Sequence, residues 1–554
     1  MQTSLRTTFL RALSIRAALA SALVTGPVFS QGLGIPPTPP GNPPTASKVA
    51  LGKALFWDEQ LSSTRSIACG SCHVPEAGGI DPRTALHPAA ARHPGPDGVF
   101  GSADDIRASA GVPRSNVAGS YELDAQFGLN PQVTPRRAPT VINAAFSFDL
   151  FWDGRANGSF HDPITGALVF PFDAALESVV AQPPVNTLEM GHLGRDWPAV
   201  VARIEVMQPL AMSPNVPAAL ANWIAGRSYP QLFDAAFGAG GVTAARTCMA
   251  IASYMRSLVS NQTPFDAFQA GNFSALTPQQ QLGLQVFQAS RCDSCHSGPT
   301  LSLFEFRYTG VRPRSEDLGR FLVTGNTPQR GAMKIPDLRN IGLRAPFFHN
   351  GGKATLDAVL DFYSAGGDFE VGTNDLLAAP IFGQARIALL DFLEHALLDP
   401  RVSQGLPPFD HPALAASTAL VPQEYGTATP GSAGIEPRIH AVEPSKLGAF
   451  GFTLAVSGAR SGGAAGLFVG PTQDLVGTPF QGATLHVVQS SRARFFRIGA
   501  LGGAGPTGGF GSLSLRLPSV SSLIGTHLYA QWFVVDPHTG GNCSATKAVD
   551  ILLF

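Results

Sequence analysis

The spacing of apolar residues divides the chain in two. From Ser47 to Trp57, Val49, Leu51, Leu55 and Phe56 fall on or near one face at helical spacing. The same period returns between Ala174 and Val180, around Trp197 to Val206, and from Thr243 to Val259. Thr277 reads as an N-cap with Pro278 at the first helical position, and Leu282, Leu284, Val286 and Phe287 follow. After about Arg401 the period shortens to two, in Phe452, Leu454 and Val456 and again in Leu513, Leu515 and Leu517. Thr526 to Val535 and Val549 to Phe554 add strand-like runs, separated by Gly, Pro and Ser clusters. The patterning predicts a multidomain chain, mainly α at first and ending in an all-β sandwich.

Composition adds loops and removes some partners. At 554 residues the chain is too long for one core. Its 60 Gly and 46 Pro predict long connections, with Gln31 to Ala46 a linker and Glu76 to Val133 loop-like. Charged residues are only 14%, and a net charge of −1 provides no field for nucleic acid or an acidic membrane surface. Arg6, Arg11 and Arg16 precede an apolar run from Ala17 to Val24 and small residues around Val28 and Ser30. Residues 1–30 therefore read as a secretory signal peptide cut near Gln31, which places the mature chain in the periplasm or outside the cell. The apolar run falls short of the ~20 residues a spanning helix needs, and no later segment supplies them.

The chemistry lies in two copies of one signature, Cys69-Gly70-Ser71-Cys72-His73 and Cys292-Asp293-Ser294-Cys295-His296. At this spacing two thiols can add to the two vinyl groups of one haem, and the adjacent histidine can bind its iron as proximal ligand. The alternative for a single copy is a redox dithiol or half of a zinc site that happens to precede a histidine; two in one exported chain point to two covalent haems c. Each signature is expected to close a helix. Of the six cysteines only Cys248 and Cys543 remain; Cys248 lies in the helical run Thr243 to Val259 and reads as a buried thiol, with a Cys248–Cys543 disulfide the alternative. His440, His486 and His538 stand singly in the β region and read as solvated. The expected organisation is a linker over 31–46, a cytochrome c-type domain over 47–265, a second over 266–405, a linker over 406–432 and the sandwich over 433–554.

Between the signatures and beyond them the chain resembles the bacterial dihaem cytochrome c peroxidases and their MauG-like relatives. The resemblance covers roughly Ser47 to Leu398. It rests on landmarks in order: Leu51-Gly52-Lys53, the run Arg137 to Asn143, Phe151-Trp152-Asp153-Gly154-Arg155, and Glu189-Met190-Gly191. After the second signature come Asp317-Leu318-Gly319-Arg320, the runs Ile335 to Asn340 and Ala345 to Gly351, and Thr355-Leu356 with Phe362-Tyr363.

The resemblance implies two mainly α haem domains that reduce hydrogen peroxide to water at the haem held by His73, with Glu189 as proton shuttle. Electrons would enter at the haem of His296 from a small redox protein, a c-type cytochrome or a cupredoxin. The family places the sixth ligand of that haem eight residues after the threonine of the Thr-Leu pair, here Tyr363, with Met333 the available thioether. An anionic phenolate donor would lower that haem's potential. Trp152 matches the family's tryptophan between the haems, an electron relay or a packed core ring. For the peroxide-side haem, His87, His93 or an open site are the candidates for the sixth position. Three departures stand out, the first being the long Gly- and Pro-rich segment after His73. Val179 replaces a glutamine ten residues before Glu189, leaving Gln182 as a substitute. Arg137 replaces an asparagine that, with backbone oxygens around Arg344 and Pro346, binds calcium in the family. A guanidinium cannot ligate a cation, so calcium is doubtful and Arg137 itself is a candidate for the positive charge. MauG-like oxidation of a protein or small molecule, a pure electron carrier, and assembly as a homodimer stay open.

Overall fold

The computed structural model describes residues 32–376, 380–431, 434–449, 451–537 and 541–554. The signal-peptide segment and His538 lie outside them. Helices occupy the chain up to Ser403 and long strands follow from Phe452 to Leu552, so a helical region precedes a C-terminal sheet region. Among the described residues no helix is long and apolar enough to cross a membrane.

The helical region has two apolar cores. The first gathers Leu51, Leu55 and Phe56 with Ile251, Tyr254 and Leu258, and the second gathers Phe287, Leu356, Leu360, Leu389, Phe392 and Leu397. In the first, helix Ala46–Phe56 is N-capped by Thr45 and crosses helix Ala244–Ser257, capped by Thr243. The crossing is closest at Gly52, where a Cβ would fall 1.9 Å from the Ala250 carbonyl oxygen. The second core repeats the device. Helix Pro278–Ala289, opened by a Thr277–Gln280 capping box, crosses helix Gly383–Asp391 at Gly283, where a Cβ would fall 2.1 Å from the Ala388 carbonyl oxygen.

The two signatures sit differently after these helices. Cys292 follows Pro278–Ala289 almost directly, whereas the first signature forms its own turn, Cys69–Cys72, after a further turn at Glu59–Leu61. The expectation that both close a helix holds for the second alone. Asp58 ends the first helix by accepting from the Gln60 and Leu210 amides, which diverts the chain before it reaches Cys69. The stretch from Glu76 to Val133 also holds more order than its composition suggests, with short paired strands at Arg92–His93 with Ile106–Arg107 and Ala110–Pro113 with Pro131–Val133.

The C-terminal region contains a three-stranded sheet, Arg438–His440, Phe452–Ala459 and Gly509–Leu515, and a five-stranded one in the order Arg494–Ala500, Ala464–Gly470, His527–Val535, Cys543–Leu552, Gln423–Tyr425. Leu454 and Val456 of the first share one core with Leu467, Trp532, Val534 and Ile551 of the second. Cys248 and Cys543 lie in different cores. His440 and His486 are buried, which corrects their reading as solvated. His440 meets the Ser457 hydroxyl at 2.7 Å; His486 Nε2 accepts from the Thr427 amide at 3.0 Å, and its Nδ1 faces the Asp474 carbonyl at 2.8 Å. Each ring fills a gap between strands by satisfying backbone or hydroxyl groups there.

One carboxylate joins this region to the helical part. Glu443, 2% exposed, accepts from the Arg65 guanidinium at 3.0 Å through one oxygen and from the Tyr121 hydroxyl at 3.2 Å through the other. Arg65 also reaches the Gly451 carbonyl, and Thr453 Oγ1 donates to the Gly119 carbonyl. Glu443→Ala leaves a largely buried guanidinium unpaired, so unfolding free energy should fall by roughly 2–4 kcal/mol in denaturant titration. Tyr121→Phe should cost about 1 kcal/mol. A Glu443→Ala change within 0.5 kcal/mol of wild type would show that the contact does not anchor the sheets.

Candidate active site: two cavities sharing one wall

Each signature lines its own cavity, of about 640 Å³ at Cys69, Cys72 and His73 and about 230 Å³ at Cys292, Cys295 and His296. His73 Nδ1 lies 3.2 Å from the Gly79 carbonyl oxygen and His296 Nδ1 3.0 Å from that of Leu301. A carbonyl only accepts, so each Nδ1 carries the hydrogen and each Nε2 keeps its lone pair for a metal. Burial holds both imidazoles below their usual range, that of His296 at about 4, so both are neutral as ligation requires.

The thiols do not fit the alternatives. Burial pushes Cys69, Cys72 and Cys292 up to about 12, the reverse of the lowered value a redox dithiol needs. Among the described residues no group of three or more His, Cys, Asp or Glu is placed to hold a metal ion, as zinc would demand.

The cavities share a wall that includes Arg137, Trp152, Lys334 and His349. Trp152 is buried; its Nε1 donates to the Arg137 carbonyl at 2.7 Å and its ring meets that of His349 edge-on at 6.1 Å. Arg137 Nη1 donates to the Arg344 carbonyl at 2.6 Å, while its Nε is buried without a partner. Burial, and then Arg344, holds that guanidinium down at about 9. Lys334 reaches only neutral oxygens, the Ser147 hydroxyl at 3.2 Å and the Asp149 carbonyl at 3.0 Å, and burial lowers it to about 8. Among the described residues neither cation forms an ion pair. Apolar cavities with a thiol pair, a neutral imidazole and cations in the wall fit haem, which brings vinyl groups, an iron and two carboxylates.

Glu189 lines the His73 cavity. Its carboxylate accepts from Asn186 Nδ2 at 2.9 Å. Burial pushes it up to about 7, opposed by the positive charge of Arg155. Arg155 ends the Phe151-Trp152-Asp153-Gly154-Arg155 run, and nothing in that run assigns it a role. It stacks 3.5 Å from the Phe151 ring centre, pairs with Asp153 at 3.0 Å and donates to Gln182 at 3.1 Å. Gln182 is thus engaged by Arg155, while Val179 lines the cavity. Of the histidines proposed for the sixth position, His87 is exposed and outside the cavity lining. His93 lines it, but its Nδ1 accepts from the Gly95 amide at 3.1 Å, which puts the ring hydrogen on Nε2. Tyr363 and Met333 both line the His296 cavity. Tyr363 comes from helix Leu356–Ala365, capped by Thr355, and burial, with the sulfurs of Cys292 and Cys295 nearby, raises its hydroxyl.

Two haem-binding signatures on opposite sides of a tryptophan-bearing wall define a dihaem protein of cytochrome c type. A family profile described as di-haem cytochrome c peroxidase matches residues 46–274 and ends before the second signature. The chain is 30% identical to the methylamine utilization protein MauG of Methylorubrum extorquens over 336 residues, 60% of this chain and 72% of that protein. It is 28% identical to the cytochrome c peroxidase Ccp of Escherichia coli over 333 residues, 59% of this chain, and spans just over half (55%) of that protein's length. Among solved structures, a MauG-like protein associated with microbial copper homeostasis aligns over 68% of this chain and 96% of its own at 24% identity and a TM-score of 0.48. The chain belongs to the di-haem cytochrome c peroxidase family, which includes MauG-type members, and is an oxidoreductase.

The Arg344 carbonyl, one of the backbone oxygens the resemblance offers to calcium, is taken here by the Arg137 guanidinium. A second cation beside it would meet like-charge repulsion in a buried setting. Chelation with EGTA is expected to leave the visible spectrum and turnover unchanged; a calcium-dependent change in either would overturn that assignment.

Proposed function

We propose that this protein reduces hydrogen peroxide to water in the His73 cavity, drawing electrons from a small c-type cytochrome or cupredoxin at the His296 cavity. When bound, the haems supply redox-active irons, one to meet peroxide and one to receive electrons. Cys69 with Cys72, and Cys292 with Cys295, would hold them covalently, and His73 and His296 would ligate their irons. Glu189, ionised, takes the proton from the inner peroxide oxygen and returns it to the outer one, which leaves as water. Trp152 carries the electron across the wall. Tyr363 would ligate the second iron. Residues 1–30 direct export to the periplasm, and the sheet region over 433–554 is an accessory sandwich.

The observation that carries this reading is the Glu189 carboxyl, half-buried in the lining of the same cavity as the His73 ligand and pushed up to about 7. A non-enzymatic carrier has no use for such a group. Tyr363 favours a second reading, MauG-like oxidation of another molecule, because an anionic oxygen donor stabilises the oxidised iron.

Glu189→Gln should lower turnover by about 10²–10⁴-fold while both haems stay attached; an unchanged rate removes Glu189 from the mechanism. Because the carboxyl must be ionised to accept a proton, kcat/KM for peroxide should rise with pH through about 7 and fall below it. Arg155→Leu removes the charge that favours ionisation and should move this midpoint upward. In potentiometric titration, Tyr363→Met should raise the potential of one haem alone; no change would assign the sixth position elsewhere.

A further inference from the structure

The proposed mechanism leaves one buried set of oxidisable rings unused. The Phe56 ring lies 6.4 Å from the His73 imidazole, and from it the Tyr254 ring is 5.3 Å away and the Trp57 ring 5.8 Å. Trp57 also abuts the first signature directly: a Cβ on Gly70 would fall 2.3 Å from the indole. Trp57 Nε1 donates to the Tyr254 hydroxyl at 3.1 Å, and both side chains are fully buried. On its outer side Trp57 stacks on His411, with ring centres 3.9 Å apart and planes 4° from parallel. His411, one-fifth exposed, lies 3.0 Å from the Glu76 carboxylate. Ring contacts therefore run without a break from the iron-binding histidine to the surface.

We propose that Trp57, hydrogen-bonded to Tyr254, is a one-electron relay between the first haem site and a reduction point at His411, where a small one-electron donor is oxidised. The proposal rests on the peroxidase reading. Indole and phenol are the side chains that give up an electron most readily, and here they are adjacent and shielded from water. Burial raises the Tyr254 hydroxyl first, the Trp57 bond opposes it, and Asp410 and Glu76 add to it; Asp410 is itself paired with Lys53 at 2.8 Å and Glu76 with His411 at 3.0 Å.

The electrons balance. Reduction of one peroxide to two waters takes two electrons and two protons. Trp57 gives one electron and keeps its Nε1 proton on the bond to Tyr254; one electron from the external donor restores it. The other electron crosses the Trp152 wall. No bond in the chain is broken, and the first site gains an electron supply independent of the His296 cavity.

The test mixes holoprotein with one equivalent of hydrogen peroxide, without a donor, and records electron paramagnetic resonance after rapid freezing. Wild type should give an organic radical signal that Trp57→Phe loses and Tyr254→Phe alters in shape. Haem content and the resting visible spectrum of both variants should match wild type, because phenylalanine keeps the ring packing. Mass spectrometry after excess peroxide should find added oxygen at Trp57 or His411 in wild type. An undiminished radical in Trp57→Phe, with no oxygen at either residue, overturns the relay and leaves the peroxidase reading intact. A wild-type visible spectrum unmoved by peroxide overturns both.

Discussion

The wall between the cavities is the constraint on which the helical region depends. Trp152 is held by its Nε1 bond to the Arg137 carbonyl, and Arg137 is held by the Arg344 carbonyl at the far side of the second signature in sequence. Arg344 in turn donates to the Asp337 carbonyl at 2.5 Å and to the Arg339 carbonyl. The wall is thus built from both halves of the chain, and neither cavity is complete without the other. Arg137 and Lys334 find only neutral oxygens as hydrogen-bond partners, which is costly in an apolar interior, and the charges of Asp81 and Asp149 offset part of that cost from a distance.

Around that wall the protein uses one packing solution twice. Gly52 against Ala250 and Gly283 against Ala388 let a helix leading to a signature cross its partner at backbone contact. Any side chain at either glycine would push the helices apart and shift the signature that follows. The copies then diverge where their chemistry must differ. The first inserts an extra turn and a long loop before its cavity is closed by the Glu189 segment, while the second is closed by Tyr363 from helix Leu356–Ala365.

Much of this was legible in the sequence because the signals were local. The signatures have a fixed spacing, and the helices Ala46–Phe56, Trp197–Val206 and Pro278–Ala289 carry caps or a clear period. Glu189, Trp152 and Arg137 were found by motif, and the structure brings each to a cavity. What escaped were features set by distant partners. Strands Ala464–Gly470 and Arg494–Ala500 are short, rich in glycine or charge, and defined by pairing with each other. The burial of His440 and His486 depends on strands that meet only after folding, and the role of Arg155 depends on a field across the cavity. A choice between Tyr363 and Met333 also lies beyond local pattern, since both reach the same lining.

Glu443 deserves a final consequence. Its two oxygens grip Arg65 and Tyr121, and the segments bearing those residues also hold the Glu189 turn: the Ser63 amide donates to the Met190 carbonyl at 2.8 Å, and the Leu193 amide to the Ser115 carbonyl at 2.8 Å. The sheets are therefore grafted onto the loop that carries Glu189 and do not hang from a tether. Exchanging them for another module would demand new counterparts at both loops, and a force applied to the sheets would be felt at the Glu189 turn.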